Sequence, residues 1–201
     1  MAWHRLASRT LENEHVRLAP LAETDREPLR APALDPELWR YFVTPVLVPA
    51  DFDPFFDAAL ADQAAGRRVV YCITDKQTGR AAGSMSFGNL AEADGRLEIG
   101  WSWLGLDFQG RGVNRWAKYL MLEQAFERMG VERVEFKTDA LNGRARQALR
   151  NIGAIEEGTL RSYNPMPGGR RRNAVFYSVL LGEWPAVRER LGGAAAVRGT
   201  R

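Results

Sequence analysis

The chain has 201 residues, 45% hydrophobic and 26% charged, which is ordinary for a globular protein with one substantial core. Its net charge of +3 suits an anionic ligand and many other partners as well. The single cysteine, Cys72, excludes an internal disulfide, no apolar run approaches the roughly 20 residues of a membrane span, and residues 1–10 lack the apolar stretch of a secretory signal. These features predict a cytoplasmic protein with no membrane partner.

Residues 1–14 read as a polar lead-in, 15–191 as the folded domain, and 192–201 as a small, polar, flexible tail. A short strand is predicted at 16–20. The helical pattern over 22–41 is broken by Pro28, Pro32 and Pro36, which predicts short helices and turns. Asp51 or Asp53 is placed to cap a helix that runs to Ala65, with Pro54 in its first turn and Gly66 at its end. Strands at 68–74 and 80–89 flank a hairpin turn, and a third at 95–104 pairs next. Apolar residues at three-to-four spacing predict a helix over 113–129 that stops at Gly130. A strand at 133–138, a helix at 142–152 ending at Gly153, strands at 155–163 and 172–181, and a helix at 183–191 complete the chain. There is no internal repeat and no linker.

The most informative stretch is the strand ending in Trp101-Ser102-Trp103-Leu104, followed closely by Gln109-Gly110-Arg111-Gly112-Val113-Asn114 and a helix. A glycine turn that opens a helix gathers unpaired N–H groups where the helix dipole favours negative charge. The strand before it offers an edge for an extended ligand. Together they describe a ligand with a phosphate end and a long arm, such as acyl-coenzyme A. A plain surface turn, with its glycines present only for positive φ, accounts for the same residues. A dinucleotide fingerprint fits poorly, because Arg115 stands where its third glycine belongs.

The order of elements and this turn resemble the GCN5-related N-acetyltransferases (GNAT), whose signature reads Gln/Arg-x-x-Gly-x-Gly/Ala; here Asn114 takes the last position. Further pieces agree: Arg133-Val134-Glu135-Phe136-Lys137-Thr138-Asp139 leading to Asn142, then Leu149 and Gly153-Ala154, then Glu157-Gly158 and Leu160-Arg161. Together with Tyr177-Ser178-Val179-Leu180 before Glu183-Trp184-Pro185, they look like the RimJ/RimL branch of ribosomal-protein N-terminal acetyltransferases. The resemblance implies one α/β (α+β) domain, a central mixed, mostly antiparallel twisted sheet of about seven strands flanked by helices. It implies acetyl-CoA as cosubstrate and no metal. The implied acceptor is an amine, either a small molecule or a protein N-terminus; a homodimer is allowed and nucleic acid is not expected. Backbone groups of Ser102, Trp103 and Leu104 are implied to pair with the pantetheine arm, and N–H groups of Gln109, Gly110, Arg111, Gly112, Val113 and Asn114 to hold the pyrophosphate. Asn142 is implied to contact the pantetheine amides, and capping of its own helix explains it equally well.

Glu98 is the candidate base. Strict alternation puts Leu97, Ile99, Trp101 and Trp103 on one face and Glu98, Gly100 and Ser102 on the other. A carboxylate on a central strand needs a cleft or a partner. It stands eleven positions before Gln109, where the histone-acetylating branch of the family carries a base glutamate. An ion pair with a neighbouring strand is the competing account. The usual acid positions hold Ala145 and Leu149 instead of serine and tyrosine, so the thiolate leaves unaided, through water, or with help from a hydroxyl such as Tyr163. Those departures keep open a second class of function, a coenzyme A-binding or RNA-binding regulatory module. Arg170-Arg171-Arg172 reads as a solvated hairpin tip or an RNA contact.

Overall fold

The computed structural model describes residues 2–193. In chain order its elements are α1 (Ala2–Ala7), β1 (Leu11–Glu12), β2 (Val16–Pro20), α2 (Arg26–Ala33), α3 (Phe52–Ala64), β3 (Arg68–Asp75), β4 (Arg80–Ala91) and β5 (Arg96–Leu104). Then follow α4 (Val113–Glu123), β6 (Arg133–Asp139), α5 (Gly143–Ile152), β7 (Ile155–Pro165), β8 (Arg171–Leu180) and α6 (Trp184–Gly193). The strands form one sheet in the order β1-β2-β3-β4-β5-β6-β8-β7. Every neighbouring pair is antiparallel except β5 and β6. The helix-bearing mixed sheet is the expected architecture, with the two-residue β1 as an eighth strand.

The two faces of the sheet are covered differently. Along β3, Val69, Tyr71 and Ile73 enter one apolar cluster while Val70 and Cys72 enter another, as a pleat demands. The first cluster runs from β1 to β8 and takes in Trp3, Ala117, Met121, Leu149 and Trp184 from α1, α4, α5 and α6. The second is confined to the β3–β5 side, where Leu29 and Ala33 of α2 and Phe52 and Phe56 of α3 pack. No described residue of β6, β7 or β8 belongs to it, so that half of the second face has no helix over it. There Glu135, Lys137 and Asp139 on β6 pair with Ser178, Phe176 and Ala174 on β8, and Arg172 of β8 lies beyond them, paired with Asn164 of β7.

Several elements differ from the sequence expectation. The stretch read as a lead-in carries α1 and β1, and both pack on the core. Trp3, Leu6 and Ala7 form one helical stripe, Trp3 donates its indole N–H to Met129 O at 2.7 Å, and the Tyr71 hydroxyl donates to Ala7 O. That stripe is too short for periodicity to reveal. Asp51 binds Leu47 N and Val48 N in the turn before α3, and Asp53 pairs with Arg26 and Arg30, so neither carboxylate caps the helix interior. The helix expected over 113–129 is α4 followed by a π-helical turn, Gln124–Arg128, whose Gln124 side chain donates to Leu6 O at 2.8 Å. The tail lies outside the described residues from 194 onward. No helix among the described residues is long and apolar enough to cross a membrane.

Candidate active site

β5 and β6 run parallel for only three pairs, Arg96↔Arg133, Leu97↔Val134 and Glu98↔Glu135. Beyond Glu98 the strands part. The cause lies in β5 itself, where Ser86 pairs with Gly100 and Ser84 with Trp103, so Trp101 and Ser102 together face a single residue of β4. Trp101 occupies φ +50°, and this bulge bends the strand away from β6. The bulge also breaks the expected alternation. Leu97 and Ile99 lie in the first cluster while Trp103 lies in the second, and Trp101 is half exposed with its ring over Gly88 and near Arg68. The sides of Ser102, Trp103 and Leu104 turned away from β4 therefore have no β6 partner in the ladder.

The chain continues from β5 through Gly105 into the turn that opens α4. Gln109 braces it from both ends, donating Nε2–H to Leu104 O at 2.9 Å and accepting from Arg144 Nη1. Gly110 and Gly112 adopt φ +74° and +87°, conformations that favour glycine. A Cβ on Gly110 would meet nothing within 4 Å, so backbone conformation, not crowding within the chain, selects glycine there. The N–H groups of Gly110, Arg111, Gly112, Val113 and Asn114 are bonded to no acceptor among the described residues, and the first helical bond runs from Trp116 N to Gly112 O at 3.0 Å. Arg111 reaches Gln77 Oε1 at 3.0 Å, and Val113 is anchored in the core. Asn114 accepts from Lys118 Nζ at 2.7 Å, and that amine lies inside the protein, where burial pushes it down to about 8. The turn thus has the free N–H groups, the helix end and the space that a pyrophosphate needs.

A second polar cluster lies on the uncovered half of the sheet. Glu98 is only 5% exposed, and its Oε2 accepts from Asn89 Nδ2 at 2.7 Å and from Lys137 Nζ at 3.2 Å. Gly100 makes room for the other oxygen, since a Cβ there would come within 2.8 Å of Oε1. The ion-pair partner anticipated as the competing account is thus present, on β6. The Lys137 ammonium also lies 5.4 Å from the centre of the Tyr163 ring, which is half exposed. Tyr163 is turned onto this face by a bulge in β7, where Leu160 pairs with Ala174 and Asn164 with Arg172, so three residues face Asn173. Arg172 lies against the same ring, 5.9 Å from its centre. Glu98, Lys137, Tyr163 and Arg172 therefore form one continuous cluster.

The arginine run and Asn142 are placed by the same fold. The arginine run is not a solvated tip: Arg170 bonds the fully enclosed carboxylate of Asp139 at 2.6 Å, Arg171 bonds Ser162, and Arg172 is buried. Asn142 caps α5, its Oδ1 accepting from Ala145 N at 3.0 Å, while Leu149 faces the first apolar cluster and so offers no site for an acid. Lys137 and Asn89 were missed by sequence reasoning, and Arg172 was read only as one member of a basic hairpin. The alternation Glu135, Lys137, Asp139 was the available signal for the first, whereas the other two depend on strand register and bulges.

The acetyltransferase (GNAT) domain pattern matches residues 15–155. The chain is 31% identical over 106 residues to the "Putative ribosomal N-acetyltransferase YdaF" of Bacillus subtilis (strain 168), a match covering 53% of this chain and 57% of that protein. It therefore spans little more than half the length of that relative. It superposes on a GCN5-related N-acetyltransferase from Brucella melitensis with a TM-score of 0.88 and 26% identity, covering 96% of this chain and 88% of that one. It shares the fold of Mycobacterium smegmatis RimJ in complex with CoA-disulfide, with a TM-score of 0.79 and 20% identity over 94% of this chain and 96% of that one. The chain belongs to the acetyltransferase (GNAT) domain family, a family of acyl-transferring enzymes.

Proposed function

We propose that this protein is an acetyl-CoA-dependent N-acetyltransferase that acts on the α-amine of a peptide or protein, or on a small amine, by direct transfer in a ternary complex. The observation that carries this reading is the set of unbonded N–H groups at Gly110–Asn114, placed just after a strand whose far end has lost its β6 neighbour. Ser102, Trp103 and Leu104 would hold the pantetheine arm as an added strand, and the turn with Arg111 would hold the pyrophosphate. Bound acetyl-CoA supplies the acetyl group as a reactive thioester. Asn142 keeps its capping bond in this arrangement, and its amide nitrogen is left to meet the arm.

The charged face supplies the proton chemistry. Lys137 and Asn89 hold the Glu98 carboxylate in place. Glu98 takes the proton that the amine gives up as its nitrogen bonds the acetyl carbon and the C–S bond breaks. Tyr163, half exposed and with no hydrogen-bond partner among the described residues, or water beside it, gives a proton to the departing thiolate. An α-amine with a pKa of about 8 is about one-tenth neutral at pH 7, whereas a lysine amine near 10.4 is neutral in fewer than about one molecule in a thousand, so a single base suits the α-amine better. The ribosomal N-acetyltransferase name of the Bacillus relative supports a protein N-terminus as acceptor.

The test is a peptide carrying one free α-amine and one lysine, incubated with acetyl-CoA and followed by thiol release and mass spectrometry. Acetylation at the α-amine is expected. Preferential acetylation of lysine defeats the acceptor assignment, and tight coenzyme binding with no acetylated product moves the protein to the class of coenzyme A-binding modules.

A further inference from the structure

Around Tyr163 the uncovered face holds two carboxylates, Glu98 and Asp139, and three cations, Lys137, Arg170 and Arg172, while Glu135, farther along β6, pairs with Arg133. Lys137 is bonded to Glu98 and Arg170 to Asp139. Arg172 is left over. Its residue is only 9% exposed, its Nε is enclosed with no acceptor, and no described residue accepts a hydrogen bond from its guanidinium. The Tyr163 ring offers it a weak cation–π contact, and burial pulls its pKa down, the mark of a charge that its surroundings do not fully compensate. Directly across the ladder, the Asn164 side-chain oxygen is likewise enclosed without a donor. A buried cation left unpaired is costly, and proteins keep such groups where a ligand completes them.

We propose that Arg172 receives a carboxylate of the acceptor, so that the preferred acceptors are amines that also carry an acidic group. The inference rests on the N-acetyltransferase reading and names the substrate class of that site. Glu98 and Arg172 lie on either side of Lys137 and Tyr163, so the cluster offers an anion toward the amine and a cation toward the acid. Its excess of a single positive charge matches one carboxylate, and a guanidinium binds that planar group through paired N–H donors. A peptide N–H near the acidic residue would satisfy the Asn164 oxygen. Two sources share this chemistry: an acidic side chain near a peptide's α-amine, and the α-carboxylate of a free amino acid.

The experiment compares kcat and KM by thiol release for peptide pairs that differ only by Glu or Gln at the second position, and for free amino acids against their amides. Wild type, Arg172→Lys and Arg172→Met are each assayed. Wild type is expected to prefer the acidic member of one pair by about tenfold or more, mainly through KM. Which pair responds identifies the source. Arg172→Met is expected to erase the preference, Arg172→Lys to keep part of it, and the Met variant to melt no lower than wild type, because it loses no internal hydrogen bond. Equal kcat/KM for the acidic and neutral members in wild type overturns the proposal. So does a preserved preference in the Met variant, or a marked fall in its melting temperature. If no amine is acetylated, the enzyme reading fails separately, and calorimetric titration of the same ligands in the presence of coenzyme A still decides. Selective binding of an acidic member that Arg172→Met abolishes upholds the role of Arg172, and its absence overturns it.

Discussion

The turn at the start of α4 and the charged face of β5–β8 are both polar regions of one sheet, and they are made of different material. The turn is backbone: five N–H groups exposed by two glycines in left-handed conformations and by the start of a helix. The face is side chain: Glu98, Lys137, Tyr163 and Arg172 come from four strands and meet through the parallel β5–β6 pairing and the bulge that re-aims β7. A site of the first kind binds what any chain with that local conformation would bind, an anion. A site of the second kind is particular to this chain, because each charge depends on register. The proposed cofactor end should therefore fail through changes of backbone and charge in the turn, and the proposed acceptor end through changes of single side chains.

The largest effect is expected at the turn. Gly112→Asp puts a carboxylate where the pyrophosphate would sit, and acetyl-CoA binding measured by calorimetry should be abolished. The fold should survive, since a Cβ there meets nothing closer than Trp116 at 3.7 Å and aspartate tolerates positive φ better than most residues. Unchanged affinity would reduce the region to an ordinary surface turn.

Next comes Lys118, beneath the same turn. Burial lowers its pKa from 10.5 to about 8. Below about pH 8 it is charged in both the folded and the unfolded chain, so the full cost of enclosing the charge is present. Between about 8 and 10.5 the unfolded chain binds more protons, so stability rises with pH. Above that range the amine is neutral in both states and the cost is gone. At 1.36 kcal/mol per unit the gain is about 3 kcal/mol. Denaturant unfolding from pH 8 to 10.5 should show it in wild type, and Lys118→Met should lack this part of the rise. Identical pH profiles would show that Lys118 is not enclosed as a charge.

The same difference in material explains what the sequence disclosed. Gly110, Gly112 and the helix that follows are local, so the turn could be read residue by residue, and so could the Asn142 cap and the Gly153 stop of α5. The hairpin and the apolar runs of β3 and β6 follow from period-two patterning and turn chemistry. The opposite placement of Trp103 from Leu97 did not, because a bulge shifts the phase of a strand without altering its composition. Glu98 was recognisable as an anomaly, a carboxylate on a central strand, but its partner Lys137 lies 39 positions away and needs the parallel β5–β6 pairing to be known. Arg172 was the hardest, since a run of three arginines beside glycines and proline looks solvated in sequence. Only the fold shows that Asp139 takes Arg170 and leaves Arg172 enclosed. Helix α1 was lost because a stripe of three apolar residues is shorter than any window in which a period can be detected.

The division of labour between the two regions is tested most directly by Glu98→Gln, with acetyl-CoA affinity and turnover measured on the same preparation. The change removes the carboxylate's basicity while keeping its size and leaving the turn untouched. Coenzyme affinity should stay as in wild type while turnover near neutral pH falls by about 10²-fold. The deficit should shrink as pH rises and the acceptor amine loses its proton unaided. Turnover equal to wild type at neutral pH would contradict the account and leave Glu98 as the structural partner of Lys137 alone.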